Sequence, residues 1–63
     1  MTDAIIGKLL KTIRESKNLT QDDVAKALNL GRNAIVRIEQ GTRKISAEEL
    51  IKIEKFYNLE IDD

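Results

Sequence analysis

The sequence predicts an all-α domain built from four short helices, and three observations carry that expectation. Apolar residues recur at helical spacing along the whole chain, with no strand-like alternation. Thr20 with Asp23, and Ser46 with Glu49, have the form of capping boxes that open helices. The dipeptide Asn-Leu occurs at 18–19, 29–30 and 58–59, each time where an apolar stripe stops. Among residues with a side chain, Asn best tolerates the left-handed conformation that ends a helix, and an apolar residue after it can fold back on the last turn. Chance recurrence of two common residues is the alternative, and the coincidence with three stripe ends argues against it.

The elements follow in order. A first helix starts near Thr2 or Asp3 and carries a stripe of Ile5, Ile6, Leu9, Leu10 and Ile13. Thr20 opens the second, whose inner face is Val24, Ala25 and Leu28. The third starts after Gly31 and ends before Gly41; Ser46 opens the fourth, with Leu50, Ile53 and Tyr57 on one stripe. At 63 residues, one domain is expected over residues 1–63, either complete or the N-terminal part of a longer protein. Its core must be slim, since a chain of this length buries only ~60% of its unfolded surface.

Composition excludes several kinds of chemistry. Without Cys there is no disulfide framework and no thiolate metal site, and without His the commonest general base and metal ligand are missing. Glu48, Glu49 and Glu54 could be imagined as paired carboxylates, but they lie on a surface helix without a nucleophile or base beside them. The chain is therefore expected not to be an enzyme and to need no cofactor, metal or small-molecule ligand. No apolar run approaches the ~20 residues that cross a bilayer, and no export signal opens the chain. A cytoplasmic setting is the default. Net charge is zero, yet residues 32–44 carry +3 and residues 45–63 carry −4. A polyanion would meet a local basic patch and be repelled by the tail; alternatively, mixed charge simply keeps a small protein soluble.

Helices 2 and 3 are separated by about three residues, the spacing of a helix-turn-helix. On a wheel of about 100° per residue starting at Arg32, Asn33, Val36 and Arg37 fall at about 100°, 40° and 140°. Ala34, Ile35 and Ile38 fall on the opposite side, at about 200°, 300° and 240°. The apolar set should pack inward, leaving the first set facing out, with Arg32 and Asn33 in the first turn.

The segment from Ile6 to Leu59 resembles the Cro/C1-type helix-turn-helix domain, the XRE-like family of phage repressors and bacterial regulators. The resemblance rests on Leu19-Thr20-Gln21-Asp22-Asp23-Val24-Ala25, Leu28, Leu30, Ile35, Arg37-Ile38-Glu39-Gln40-Gly41 and Ser46 through Leu59. It implies a compact four-helix, or five-helix, lambda-repressor-like fold that binds operator DNA, usually as a dimer. It further implies that Gln21 contacts a phosphate or supports the recognition helix. Arg32, Asn33, Val36 and Arg37 would read bases, Arg43 and Lys44 would meet phosphates, and Arg14 and Glu39 would form a partly buried salt bridge. The chemistry suits these roles. Arg can grip guanine O6 and N7, Asn adenine N6 and N7, and Val36 offers an apolar surface to a thymine methyl. Each also has a plain alternative: solvated charge for the arginines, a helix-start residue for Asn33, surface for Gln21, and packing against a neighbour for Val36. Lys8, Lys11 and Lys17 are read as ordinary surface.

Departures from the family pattern sharpen the expectations. Gly31 stands where a Ser or Thr cap is usual, a loss of a few tenths of a kcal/mol. Glu54 takes a place often held by Ala, so its carboxylate must tilt outward or meet a Lys or Arg. Ile61-Asp62-Asp63 looks like the beginning of a fifth helix. Ile51 and Phe56 flank the stripe of helix 4, either as the rim of the core or, with Leu59 and Ile61, as a dimer surface. A homodimer, at least on DNA, would set two recognition helices ~34 Å apart on a palindromic double-stranded site. The function expected is sequence-specific DNA binding in transcriptional regulation, of repressor type, with helix 32–40 in the major groove. The alternative is a protein-interaction module that keeps the fold without DNA.

Overall fold

The four helices lie where the local signals put them. In a computed structural model that describes residues 3–58, they are α1 (Asp3–Ser16), α2 (Gln21–Leu28), α3 (Arg32–Gln40) and α4 (Ala47–Tyr57). Leu59 and Ile61, expected at a dimer surface, lie outside the described residues. The start signals act as read. Thr20 Oγ1 accepts from the Asp23 N–H and the Asp23 carboxylate accepts from the Thr20 N–H, at 3.0 and 2.9 Å. Ser46 and Glu49 repeat the exchange, both bonds at 3.1 Å.

The stops are equally local. Asn18, Asn29 and Asn58 adopt φ of 59°, 57° and 56°, the left-handed region, as does Gly41 at 78°. After α2, the Leu30 N–H reaches back to the Ala25 carbonyl at 2.9 Å, closing a Schellman turn. Leu19 to Arg14 and Thr42 to Arg37 close α1 and α3 in the same way. Leu19 and Leu30 then pack against the core. Asn followed by Leu is thus a complete stop signal, since polarity permits the turn and the leucine anchors it.

The core is Leu10, Val24, Ala25, Leu28, Ile35, Ile38, Ile53 and Tyr57, with Ile6, Ile13, Leu19, Leu30 and Ile45 packed around it. α1 lies against α3, and α2 touches both α3 and α4. The radius of gyration of 10.7 Å matches the ~10.6 Å of a compact chain of this length.

Two expectations about inner faces need correction. Ile5 and Leu9, assigned to the buried stripe of α1, are 57% and 53% exposed. The buried positions of α1 are Gly7, Leu10 and Arg14. The helix is rotated away from its own apolar stripe by roughly a quarter turn on a 100° wheel. The cause is a close approach to α3: a Cβ on Gly7 would collide with the backbone oxygens of Ile38 and Glu39. Leu50 is at the edge of the α4 stripe rather than within it, 37% exposed. Glu54 is half-buried and takes no part in an ion pair among the described residues.

Candidate nucleic-acid interface

α3 divides as its sequence divides. Ile35 and Ile38 are buried and Ala34 is half-buried, whereas Arg32, Asn33 and Arg37 are exposed. Val36, predicted to share the outer face, is half-buried. The N-terminus of α3 is unusual for this chain. Gly31 supplies no side-chain cap, and the first turn contains no acidic residue. The other two capped helices each open with a capping box and two acids. A helix N-terminus carries positive partial charge from its unsatisfied N–H groups. Adding Arg32 there, with no compensating cap, opposes stability and concentrates positive potential for an incoming anion.

The outer face is held in place from behind by a polar cluster. Arg14 Nε donates to Glu39 Oε2 at 2.7 Å and Nη2 donates to Oε1 at 3.1 Å. Arg14 Nη1 donates to the Leu19 carbonyl at 2.8 Å, and Gln21 Nε2 donates to Glu39 Oε1 at 3.1 Å. The two charged side chains are only 10% and 5% exposed. Every buried side-chain polar atom among the described residues has a partner. The hydrogen bond to Glu39 raises the Arg14 pKa further, so the guanidinium stays charged. The cluster joins α1, the α1–α2 turn, the start of α2 and the last turn of α3. Tyr57 closes the site from α4, its phenol pushed up to about 12 by burial first and by the Glu39 charge second.

In the free protein Gln21 thus joins the start of α2 to the last turn of α3 through Glu39. Arg43, expected to meet a phosphate, donates in the free protein from Nη1 and Nη2 to both carboxylate oxygens of Glu49, at 3.0 and 2.9 Å. The pair joins the α3–α4 connection to the capping box of α4. Glu49, donated to by Arg43 and by the Ser46 N–H, has its pKa lowered to about 2. Lys44, next in sequence, is exposed. Ile51 is 52% and Phe56 37% exposed on α4, and the Phe56 ring lies 5.1 Å from that of Tyr57.

Three contacts escaped the sequence reading: Gly7 against α3, Arg43 with Glu49, and Arg32 with Asp22, whose Nε and Oδ1 are 3.7 Å apart. Only the first left a signal, since a glycine inside a helix costs ~1 kcal/mol against Ala and so calls for a packing reason. No helix among the described residues is long and apolar enough to cross a membrane, and they contain no cluster of ligands suited to a metal ion.

Known proteins share this arrangement. A family model described as helix-turn-helix matches residues 10–63. An uncharacterized HTH-type transcriptional regulator of Methanocaldococcus jannaschii is 43% identical over 54 residues, covering 86% of this chain and 82% of that one. The HTH-type transcriptional regulator ImmR of Bacillus subtilis is 33% identical over 57 residues, 90% of this chain but 45% of its own length. The chain thus spans most of one relative and less than half of the other. In three dimensions it matches the crystal structure of the restriction-modification controller protein C.AhdI from Aeromonas hydrophila with a TM-score of 0.87. Identity to that protein is 26%, over 92% of this chain and 88% of that one. With most of its length matched by the family model, the chain belongs to the helix-turn-helix family, in the Cro/C1-type branch of DNA-binding transcription regulators.

Proposed function

We propose that this chain reads a specific double-stranded operator with α3 in the major groove. The observation that carries the reading is the exposure of Arg32, Asn33 and Arg37 on a helix whose opposite face is buried and whose N-terminus has neither side-chain cap nor acidic residue. Arg32 and Asn33 contact base edges, Arg37 a base or phosphate one turn on, and Val36 a thymine methyl. Lys44 holds a phosphate. Arg43 does so only by leaving Glu49, so its main part is to fix the α3–α4 connection. Gln21 supports α3 through Glu39, with a phosphate within reach of the same helix start.

Two copies bind one palindrome, joined through Ile51 and Phe56 of α4 together with Leu59 and Ile61, which follow in sequence. This sets the reading helices ~34 Å apart on successive major grooves. We assign 1–63 as a single domain, acting in the cytoplasm without catalysis, cofactor or small-molecule ligand. Repression is its simplest effect, because a domain seated over a promoter excludes other proteins from the same groove.

Selection of bound duplexes from a random pool at low salt, followed by affinity measurements across a salt series, tests the reading. A short palindrome should be enriched, Arg32→Ala should relax preference at one base step in each half-site, and log K should fall linearly with log salt. Enrichment of no sequence at low salt, together with binding indifferent to salt, overturns it in favour of a protein-interaction module.

A further inference from the structure

The Arg32–Asp22 contact has no evident structural purpose. Both side chains are well exposed, 64% and 63%, and exposed pairs of this kind contribute little to stability. Their positions are more telling than their strength. Asp22 is the second residue of α2 and Arg32 the first of α3, so the contact bridges the two arms of the helix-turn-helix at the edge that approaches DNA. Asp22 meets Arg32 at Nε, on the inner edge of the guanidinium. The outer edge, Nη1 and Nη2, makes no hydrogen bond among those seen in the described residues, and it is this edge whose paired donors match guanine O6 and N7.

We propose that Asp22 is a positioning residue for base reading: its carboxylate, 3.7 Å from Nε of Arg32 and so an ion-pair partner rather than a hydrogen-bond one, biases the outer edge of that guanidinium toward a guanine and sharpens specificity at one base step. The inference rests on the DNA-reading role proposed above. Two separable physical effects follow from this placement. A long arginine with a partner at its inner edge loses less rotamer freedom when it docks than one that is free, which favours the one base its outer edge fits. A carboxylate at the rim of a DNA-binding face also repels the phosphates of every duplex alike, which lowers affinity without regard to sequence. Asp22 is stable in this role because the N-terminal end of α2 favours negative charge.

The test uses wild type, Asp22→Asn and Arg32→Ala, the duplex enriched by wild type in the selection above, its three variants at the base step that Arg32→Ala relaxes, and an unrelated duplex. Asp22→Asn should reduce discrimination at that single step by about 2–5-fold, leave preferences at the other steps unchanged, and raise affinity for the unrelated duplex. Its melting temperature should stay close to wild type, since the side chain is exposed. A change by one common factor for all four bases, with discrimination intact, overturns the proposal and leaves Asp22 as a plain repulsive charge, while the reading of DNA by α3 stands. If wild type itself enriches no sequence, the DNA-reading role and this inference fail together.

Discussion

Gly7 shows how much can rest on one missing atom. Its bare α-carbon lets α1 sit against the final turn of α3, where a methyl group would collide with the carbonyl oxygens of Ile38 and Glu39. Gly7→Ala should gain ~1 kcal/mol of helix propensity, yet lose more through backbone displacement, since overpacking costs about 1–3 kcal/mol. Net destabilisation in urea titration is the expected outcome, with weaker DNA binding because α3 shifts; a net stabilisation would mean that α1 is not held there. Arg14 works at the same contact. Arg14→Ala strands Glu39 in a nearly dry site, a change that costs about 3–5 kcal/mol. Such a loss is a large part of what a domain of this size has, so thermal unfolding should detect it at once. Neither residue lies on the outer face of α3, and both fix where that face is placed.

At the scale of elements, the helix starts differ in their capping. α2 and α4 are capped by full capping boxes, and α3 by a glycine with open space around its α-carbon. Gly31→Ser should therefore be accepted and should stabilise the free protein by about 0.5 kcal/mol, through a better cap and a less flexible unfolded chain. Its melting temperature should rise slightly; a fall would show that the cap geometry is not as described. α4 makes a prediction about acid. Glu49 is held near a pKa of about 2 against an ordinary 4.5, first by Arg43 and then by the Ser46 N–H. A depressed carboxylate contributes stability that is complete above its unfolded pKa and disappears as pH falls through the folded one. Stability should thus decline between about pH 4.5 and 2, and Glu49→Gln should flatten that part of the profile in pH-dependent urea titration. An unchanged profile would show that the Arg43–Glu49 pair does not persist in solution.

At the scale of the molecule, charge and apolar surface are divided. The exposed basic residues Arg32, Arg37 and Lys44 belong to α3 and the connection after it, and the exposed Ile51 and Phe56 belong to α4. If α4 joins two copies, Ile51→Asp should lower the mass seen by light scattering on operator DNA from two chains to one. It should also weaken operator binding far more than binding of one chain to a half-site. Equal losses on both duplexes would remove α4 from the interface.

What the linear chain determined by itself is the set of helices and their ends. Caps, left-handed stops and apolar periodicity depend on bonds between residues at most five positions apart, and Thr20, Ser46, Asn18, Asn29, Asn58 and Gly41 all act as their local chemistry requires. The outward presentation of Arg32, Asn33 and Arg37 was also legible, because the apolar side of α3 had only one way to be buried. The tertiary structure decided the rest. α1 turns Ile5 and Leu9 to solvent to bring Gly7 and Arg14 against α3. Arg43 pairs with Glu49, and Arg32 with Asp22. Periodicity gives the width of an apolar stripe but not its rotation. That is set by close backbone approach and by ion pairs between residues distant in sequence, whose geometry exists only once the helices have met.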